Sequence, residues 1–159
     1  MHITANRTIQ IIIMGFLASL FGCGRQPASP PTAASTKDVF MVDYAHESDD
    51  VFYHGTFSLI EGKVASTWTV DRGGKKESRD ISMTEDAFRS IWDGVADIPD
   101  FKAGTVKDPN QQLDTLTHHI VGIVFSLGEQ KGMRTCMIPS ATASPEFRQW
   151  LTKIGYTGK

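Results

Sequence analysis

The first half of the chain beyond residue 38 carries hydrophobic patterns that are typical of strands. Residues 39–44 and 51–60 are rich in β-branched and aromatic side chains, which favour strands. Residues 64–71 alternate between apolar and polar positions, as in a half-buried strand. Residues 76–83 predict a weaker, charged strand of the kind that protects the edge of a sheet. Polar or glycine-containing turns are predicted at 46–50, 61–62 and 73–74.

The hydrophobic period changes twice to that of an amphipathic helix. One apolar stripe, at i, i+3, i+4 and i+7, begins at Phe88, with Thr84 as a suitable N-cap before it. The second begins at Phe147, after an N-cap at Ser144 and a proline at N1. Gly155 stands where a C′ glycine is expected. Both segments are therefore predicted as helices that bury one face.

Two further strands are predicted at residues 120–127 and 133–138, joined by a loop at 128–132. The resulting order, ββββαββα, predicts an α+β domain, an antiparallel sheet of about six strands with two amphipathic helices on one face. Trp68, Trp92 and Trp150 fall on the apolar sides of these elements, so we expect them in a shared core. Residues 99–117 are predicted as a long loop, and loops of this length are often functional or disordered.

The N-terminus has the three parts of a secretory signal. Residues 1–8 contain the basic Arg7, residues 9–21 are mainly apolar, and the small residue Gly22 precedes Cys23. The apolar run is shorter than the roughly 20 residues of a membrane-spanning helix. An ordinary cleaved signal or a short uncleaved anchor is the alternative interpretation, in which Cys23 has no special role.

Residues 20–23, Leu-Phe-Gly-Cys, resemble the lipobox of bacterial lipoproteins, although Phe21 replaces the small residue usual at that position. The resemblance implies that Cys23 receives a diacylglyceryl group and becomes the mature N-terminus. It divides the chain into a signal peptide at 1–22, a lipidated Cys with a Pro/Ala/Ser-rich tether at 23–37, and a single domain at 38–159. The predicted location is the cell envelope, with a membrane contact through the lipid on Cys23.

The tether can place the domain at a distance from the membrane. Residues 24–37 contain three prolines and no large apolar side chain, so they are not expected to form a core. An extended Pro-rich segment of this length reaches roughly 40 Å. Gly24 is not the Asp that tends to retain lipoproteins in the inner membrane. By that resemblance, the outer membrane facing the periplasm is favoured if the source is diderm.

Charge and cysteine content exclude some classes of function. The net charge is −2 for 159 residues. This balance does not favour binding to nucleic acid, which usually requires a basic face. Cys136 has no intramolecular partner if Cys23 is lipidated, and it is predicted as a small buried hydrophobic residue.

No cofactor is predicted. An envelope protein is a possible partner, but its identity does not follow from the sequence.

Catalytic or metal-binding residues are hard to find in this sequence, and none is predicted as catalytic. His118 and His119 are adjacent, so on a strand they point to opposite faces and cannot easily bind one metal. Each would need further ligands such as Asp114, His46 or His54. The sequence therefore favours a non-enzymatic binding or scaffolding module. The alternative is a small envelope hydrolase or metal-dependent enzyme that uses His118 or His119 with Asp114.

Overall fold

The computed structural model describes residues 38–108 and 110–158, which form an α+β fold around one six-stranded antiparallel sheet. The strands are β1 Val39–Ser48, β2 Val51–Ile60, β3 Lys63–Arg72, β4 Lys75–Asp80, β5 His118–Leu127 and β6 Gln130–Pro139. The helices are α1 Glu85–Asp97, α2 Pro99–Ala103 and α3 Pro145–Lys153. The order across the sheet is β4-β3-β2-β1-β5-β6, so that the first strand lies near the middle.

The predicted order of elements was wrong in one respect, because the structure has a third helix. The observed order is ββββααββα, with α2 inside the segment that was expected to be a loop. Pro99 ends α1 as expected, but it also occupies the first turn of α2, where its missing N–H carries no cost. A helix of five residues is too short to show a hydrophobic period.

Strand alternation divides the sheet into two unlike faces. On β1, Phe40, Val42 and Tyr44 are buried on one face, which we call the helix face. Their register partners on β5 are Phe125, Ile123 and Val121, which are buried as well. Val39, Met41 and Asp43 point to the opposite side, which we call the open face. The helix face therefore holds the main core of the domain.

All three helices pack on the helix face. Trp92 of α1 contacts Phe40 edge to face, with ring centroids 5.0 Å apart. The carbonyl of Phe101 in α2 accepts a hydrogen bond from Cys136 Sγ on β6 at 3.2 Å. At the end of α3, the Ile154 carbonyl accepts a hydrogen bond from Trp68 Nε1 at 2.6 Å. Together with the burial of Trp150, which is 1% exposed, these contacts confirm that the three tryptophans and Cys136 belong to the core.

Local capping explains where the two longer helices begin and end. Thr84 Oγ1 accepts a hydrogen bond from the N–H of Ala87 at the start of α1. Ser144 Oγ accepts in the same way from the N–H of Phe147 at the start of α3. After α3, Gly155 has a φ of 77°, which is the left-handed conformation expected of a C′ glycine. These caps agree with the predictions from the sequence.

The segment between α2 and β5 runs along the outer edge of β6. The N–H of Met137 donates to the carbonyl of Gly104, and the N–H of Val106 donates to the carbonyl of Thr135. Gln111 Nε2 then donates to the sulfur of Met137, which lies on the open face. The segment therefore covers part of one sheet edge and reaches the open face.

None of the helices within the described residues is long and apolar enough to cross a membrane. The longest, α1, has 13 residues and only one buried stripe.

Candidate functional site

The adjacent histidines of β5 lie on opposite faces of the sheet, as the sequence predicts. His118 pairs with Pro139 and is partly exposed on the open face, whereas His119 pairs with Ile138 and is buried on the helix face. The two side chains therefore have separate surroundings. Only His118 lies close to Asp114, the third residue that the sequence suggested for a metal or catalytic site.

Asp114 and His118 are linked through Thr117 in a local turn. Thr117 Oγ1 donates to Asp114 Oδ2 at 2.5 Å, and it is 2.8 Å from His118 Nδ1. Asp114 Oδ1 also accepts from the backbone N–H of Leu116 at 3.0 Å. The bond from Thr117 is the main reason that the pKa of Asp114 is lowered. All these contacts lie within five consecutive residues, as in an Asx turn, so they need no ligand to explain them.

His119 belongs instead to a buried cluster of aromatic side chains at one end of the sheet. Its Nδ1 is hydrogen-bonded to the Tyr44 hydroxyl at 2.9 Å. The His46 ring packs against it, with centroids 4.2 Å apart, and His46 Nδ1–H donates to the carbonyl of His118 at 3.1 Å. Tyr156, which follows α3, also contacts the His119 ring. The sequence suggested His46 as a possible neighbour of these histidines, but it did not suggest Tyr44.

Burial determines the protonation of this cluster. His46 and His119 are only 4% and 6% exposed. Burial lowers the pKa of His119 to about 3, with smaller contributions from His46, Arg148 and His118. Burial also lowers the pKa of His46, against a weaker opposing effect of its bond to His118. Both rings are therefore neutral near pH 7, and their surroundings are those of a core rather than of a cleft.

The described residues contain no group of three or more His, Cys, Asp or Glu side chains placed to hold a metal ion. Burial raises the pKa of the Cys136 thiol above its ordinary value, which disfavours the thiolate form that would bind a metal. Cys23, the predicted lipidation site, lies outside the described residues.

A groove of about 460 Å³ lies between α1 and α3. Asp86, Asp93, Asp97 and Glu146 lie along it, together with Arg89 and Lys153. At its floor the helices touch, because a Cβ on Gly94 would lie 2.6 Å from Trp150 Cδ1. Lys153 Nζ donates across the groove to Ser90 Oγ at 3.1 Å. The groove is thus a polar crevice between two packed helices, bridged by a direct hydrogen bond.

The open face of the sheet offers a broader surface. Met133 is 74% exposed and Ile60 is 40% exposed, and the neighbouring apolar side chains are only partly buried. We call this group of six residues the apolar patch: Val39, Met41, Ile60, Ala65, Val124 and Met133. No helix within residues 38–108 and 110–158 covers the patch.

Three rows of register partners cross the open face, and the two outer rows carry charged residues. A lysine row crosses the sheet through register partners Lys63, Ile60, Val39, Ser126 and Lys131. An apolar row follows it through Ala65, Ser58, Met41, Val124 and Met133. An aspartate row comes next through Asp80, Thr67, Thr56, Asp43, Gly122 and Thr135. Both aspartates of that row accept hydrogen bonds from threonine hydroxyls, Asp43 from Thr56 and Asp80 from Thr67.

The sequence contains a signal for this surface that its alternation alone does not reveal. Residues 39–42 and 120–125 are apolar at almost every position, so each strand presents apolar side chains to both faces. The helices cover only one face, and although Ala45 and Ile120 of the other face are buried, Met133 and Ile60 of that face remain at the surface. The alternation of residues 64–71 predicted one buried face for that strand, but no pattern in the sequence assigned Met133 or Ile60 to the surface.

Comparison with known proteins gives no family for this chain. No family model matches it, and no curated protein matches its sequence at a significant level.

Proposed function

We propose that this chain is a lipid-anchored protein of the cell envelope and acts as a non-enzymatic binding or scaffolding module. The open face of the sheet is its binding surface. The lipid on Cys23 would hold it to the membrane, and the tether at 23–37 would carry the domain. In a diderm source, the favoured place is the outer membrane, facing the periplasm.

One observation supports the binding surface most directly. The apolar patch combines an exposed methionine with an exposed isoleucine, Met133 and Ile60, on a face that no described helix covers. Contiguous apolar patches rimmed by polar residues are typical of interaction sites on soluble domains. The charged residues at the edges of the patch, Lys63, Lys131, Asp43 and Asp80, provide such a rim. A surface of this kind favours a macromolecular partner over a small substrate, since it is broad and lies on the open face of a sheet.

The alternative function is a small hydrolase or metal-dependent enzyme that uses His118 or His119 with Asp114. It has less support. His119 is buried on the helix face, and Asp114 bonds to its own turn through Thr117 and Leu116. The contacts of these three residues are explained by local structure and core packing, and they do not converge on one site.

The proposed binding surface can be tested in cells that produce the full chain. A photo-crosslinking amino acid would replace Met133 in one variant and Ala96, an exposed residue of α1, in a matched control. We expect cross-linked adducts from position 133 and not from position 96. Equal yields of adducts at both positions, or none at either, would contradict the assignment of the open face.

A further inference from the structure

We infer that a second copy of this chain covers the apolar patch, with the two open faces packed together around a two-fold axis that lies along the apolar row. The inference rests on the proposed function, because it names the partner of the surface assigned above. Its first support is the order of the three rows, since a two-fold contact requires a surface that is complementary to itself.

The order of the rows meets that requirement. Rotation by 180° about the apolar row places this row against its own copy. The same rotation places the lysine row of each molecule against the aspartate row of the other. The two rows carry two lysines and two aspartates on each molecule, Lys63, Lys131, Asp43 and Asp80. The rotation therefore brings Lys63 of each molecule near Asp80 of the other, and the four charges of these two rows sum to zero.

The most direct ion pair involves Lys63 and Asp80. Lys63 and Thr67 both belong to β3, so the rotation places Lys63 of one molecule opposite Thr67 of the other. Asp80 is the register partner of Thr67 and accepts a hydrogen bond from its hydroxyl at 3.0 Å. The carboxylate is thus held in place within reach of the facing lysine, and the symmetry creates this pair twice.

The same charges disfavour other partners for this face. An anionic membrane surface would attract Lys63 and Lys131 but would repel Asp43 and Asp80. A purely apolar partner would leave all four charges without a counterpart while it covers the face. A second copy matches the apolar row and also pairs Lys63 with Asp80.

The expected contact is small, which determines how it should be measured. The three rows span roughly 20 Å across five strands and roughly 14 Å along them. The area that these two lengths enclose is well below the about 800 Å² that each partner buries in a stable interface. We therefore expect a weak dimer in dilute solution. Lipid anchoring would raise the effective concentration of one copy near another, so the membrane is the proper place for the test.

A cysteine at position 133 provides that test in the full chain. Met133 lies on the apolar row, so the rotation places it opposite the same residue of the second copy. Facing sheets are about 10 Å apart and a disulfide needs Cα atoms within about 7 Å, so a short bismaleimide is the suitable cross-linker. In membranes that contain Met133→Cys, we expect a cross-linked homodimer. Ala96→Cys and the unchanged chain should both stay monomeric, which also controls for Cys23 and the buried Cys136.

A charge exchange separates this contact from accidental collision. In the Met133→Cys chain, Lys63→Glu should lower the cross-linked fraction several-fold, because it places two acids opposite each other. Adding Asp80→Lys should restore the fraction, because the pair is then re-formed with its signs reversed. Both positions are exposed, so the variants should fold.

The outcomes distinguish this inference from the proposed function. Photo-adducts at position 133 with other proteins, without a homodimer of Met133→Cys, would refute the second copy and leave the binding surface in place. If Lys63→Glu lowers the cross-linked fraction and the added Asp80→Lys does not restore it, this arrangement of rows is also refuted. A restored homodimer in a chain that carries no lipid would support the inference and contradict the lipid anchor.

Discussion

His46 and His119 pack ring against ring, 4.2 Å between centroids, within the core of the domain. They come from β1 and β5, which are neighbours in the sheet but distant in the chain. Tyr44 and Tyr156 surround the pair, and Arg148 lies near enough to disfavour a proton on His119. The pair therefore contributes to the fold only while both rings are neutral.

The first prediction concerns acid stability. The pKa of His119 is about 3 in the folded protein, compared with about 6.5 when unfolded. Its contribution is complete above about pH 6.5 and is lost as the pH falls toward 3. By pH 4 the loss amounts to about 3 kcal/mol. Urea unfolding at pH 7 and pH 4 should show this loss, and His119→Gln should reduce it. His118→Gln, the control on the open face, should retain most of the pH dependence, because His118 makes only a small contribution to the lowered pKa of His119. An equal reduction in both variants would contradict the role of His119.

The second prediction concerns Gly94, where two physical effects compete. Alanine favours a helix over glycine by about 1 kcal/mol. A Cβ at position 94, however, would lie 2.6 Å from Trp150 Cδ1, and Trp150 is fixed by a hydrogen bond to the Ile91 carbonyl. Overpacking of this kind costs about 1–3 kcal/mol, so Gly94→Ala should lower the melting temperature. Asp97→Ala, at an exposed position of the same helix, should change stability by less than about 0.5 kcal/mol. A more stable Gly94→Ala protein would show that the two helices can separate.

The third prediction distinguishes two buried tryptophans. Trp150 Nε1 donates to the Ile91 carbonyl at 2.9 Å, whereas Trp92 Nε1 is buried without a hydrogen-bond partner among the described residues. Both would lose volume on replacement by Phe, but only Trp150→Phe would also lose a hydrogen bond. We expect Trp92→Phe to be the milder change, by about 1 kcal/mol in the free energy of unfolding. Denaturant titrations of the two variants would test this, and a larger loss for Trp92→Phe would reverse the assignment.

The fourth prediction concerns the lipid. If Cys23 carries the acyl groups, Cys23→Ala should abolish incorporation of labelled palmitate and release or misprocess the protein. Two chains anchor a protein stably where one is marginal, so the effect on membrane fractionation should be large. Cys136→Ala provides the control, because Cys136 is buried in the core. Undiminished labelling of Cys23→Ala would refute the lipoprotein assignment.

The sequence predicted the elements whose signals are local. The caps at Thr84 and Ser144, the two apolar stripes and the glycine turns all depend on residues a few positions apart. The five-residue α2 was missed because its length is below that of any periodic signal. Residues 46–48 were expected in a turn but extend β1, and only Asp49 and Asp50, with φ of 52° and 61°, form the turn itself. Pairing with β2 keeps these polar residues in the strand.

The candidate surface depended on information that is not local. Whether Met133 is buried or exposed is decided by which face the helices choose, and no short pattern specifies that choice. Similarly, His46 meets His119 only through the register of β1 with β5. The sequence placed His118 and His119 on opposite faces, because that follows from strand geometry alone. It could not decide which of the two would be buried.

The central place of β1 has a consequence for the order of folding during synthesis. As the chain emerges, β1 can pair at once with β2, but its other neighbour, β5, is made much later. The bond between Tyr44 and His119 spans 75 residues, and that between Trp68 and Ile154 spans 86. The four strands β1–β4 therefore keep one edge of β1 unpaired until β5, late in the chain, has been produced. Contacts this distant along the chain are typical of slow folding, and the core closes only when the residues after α3 reach Trp68.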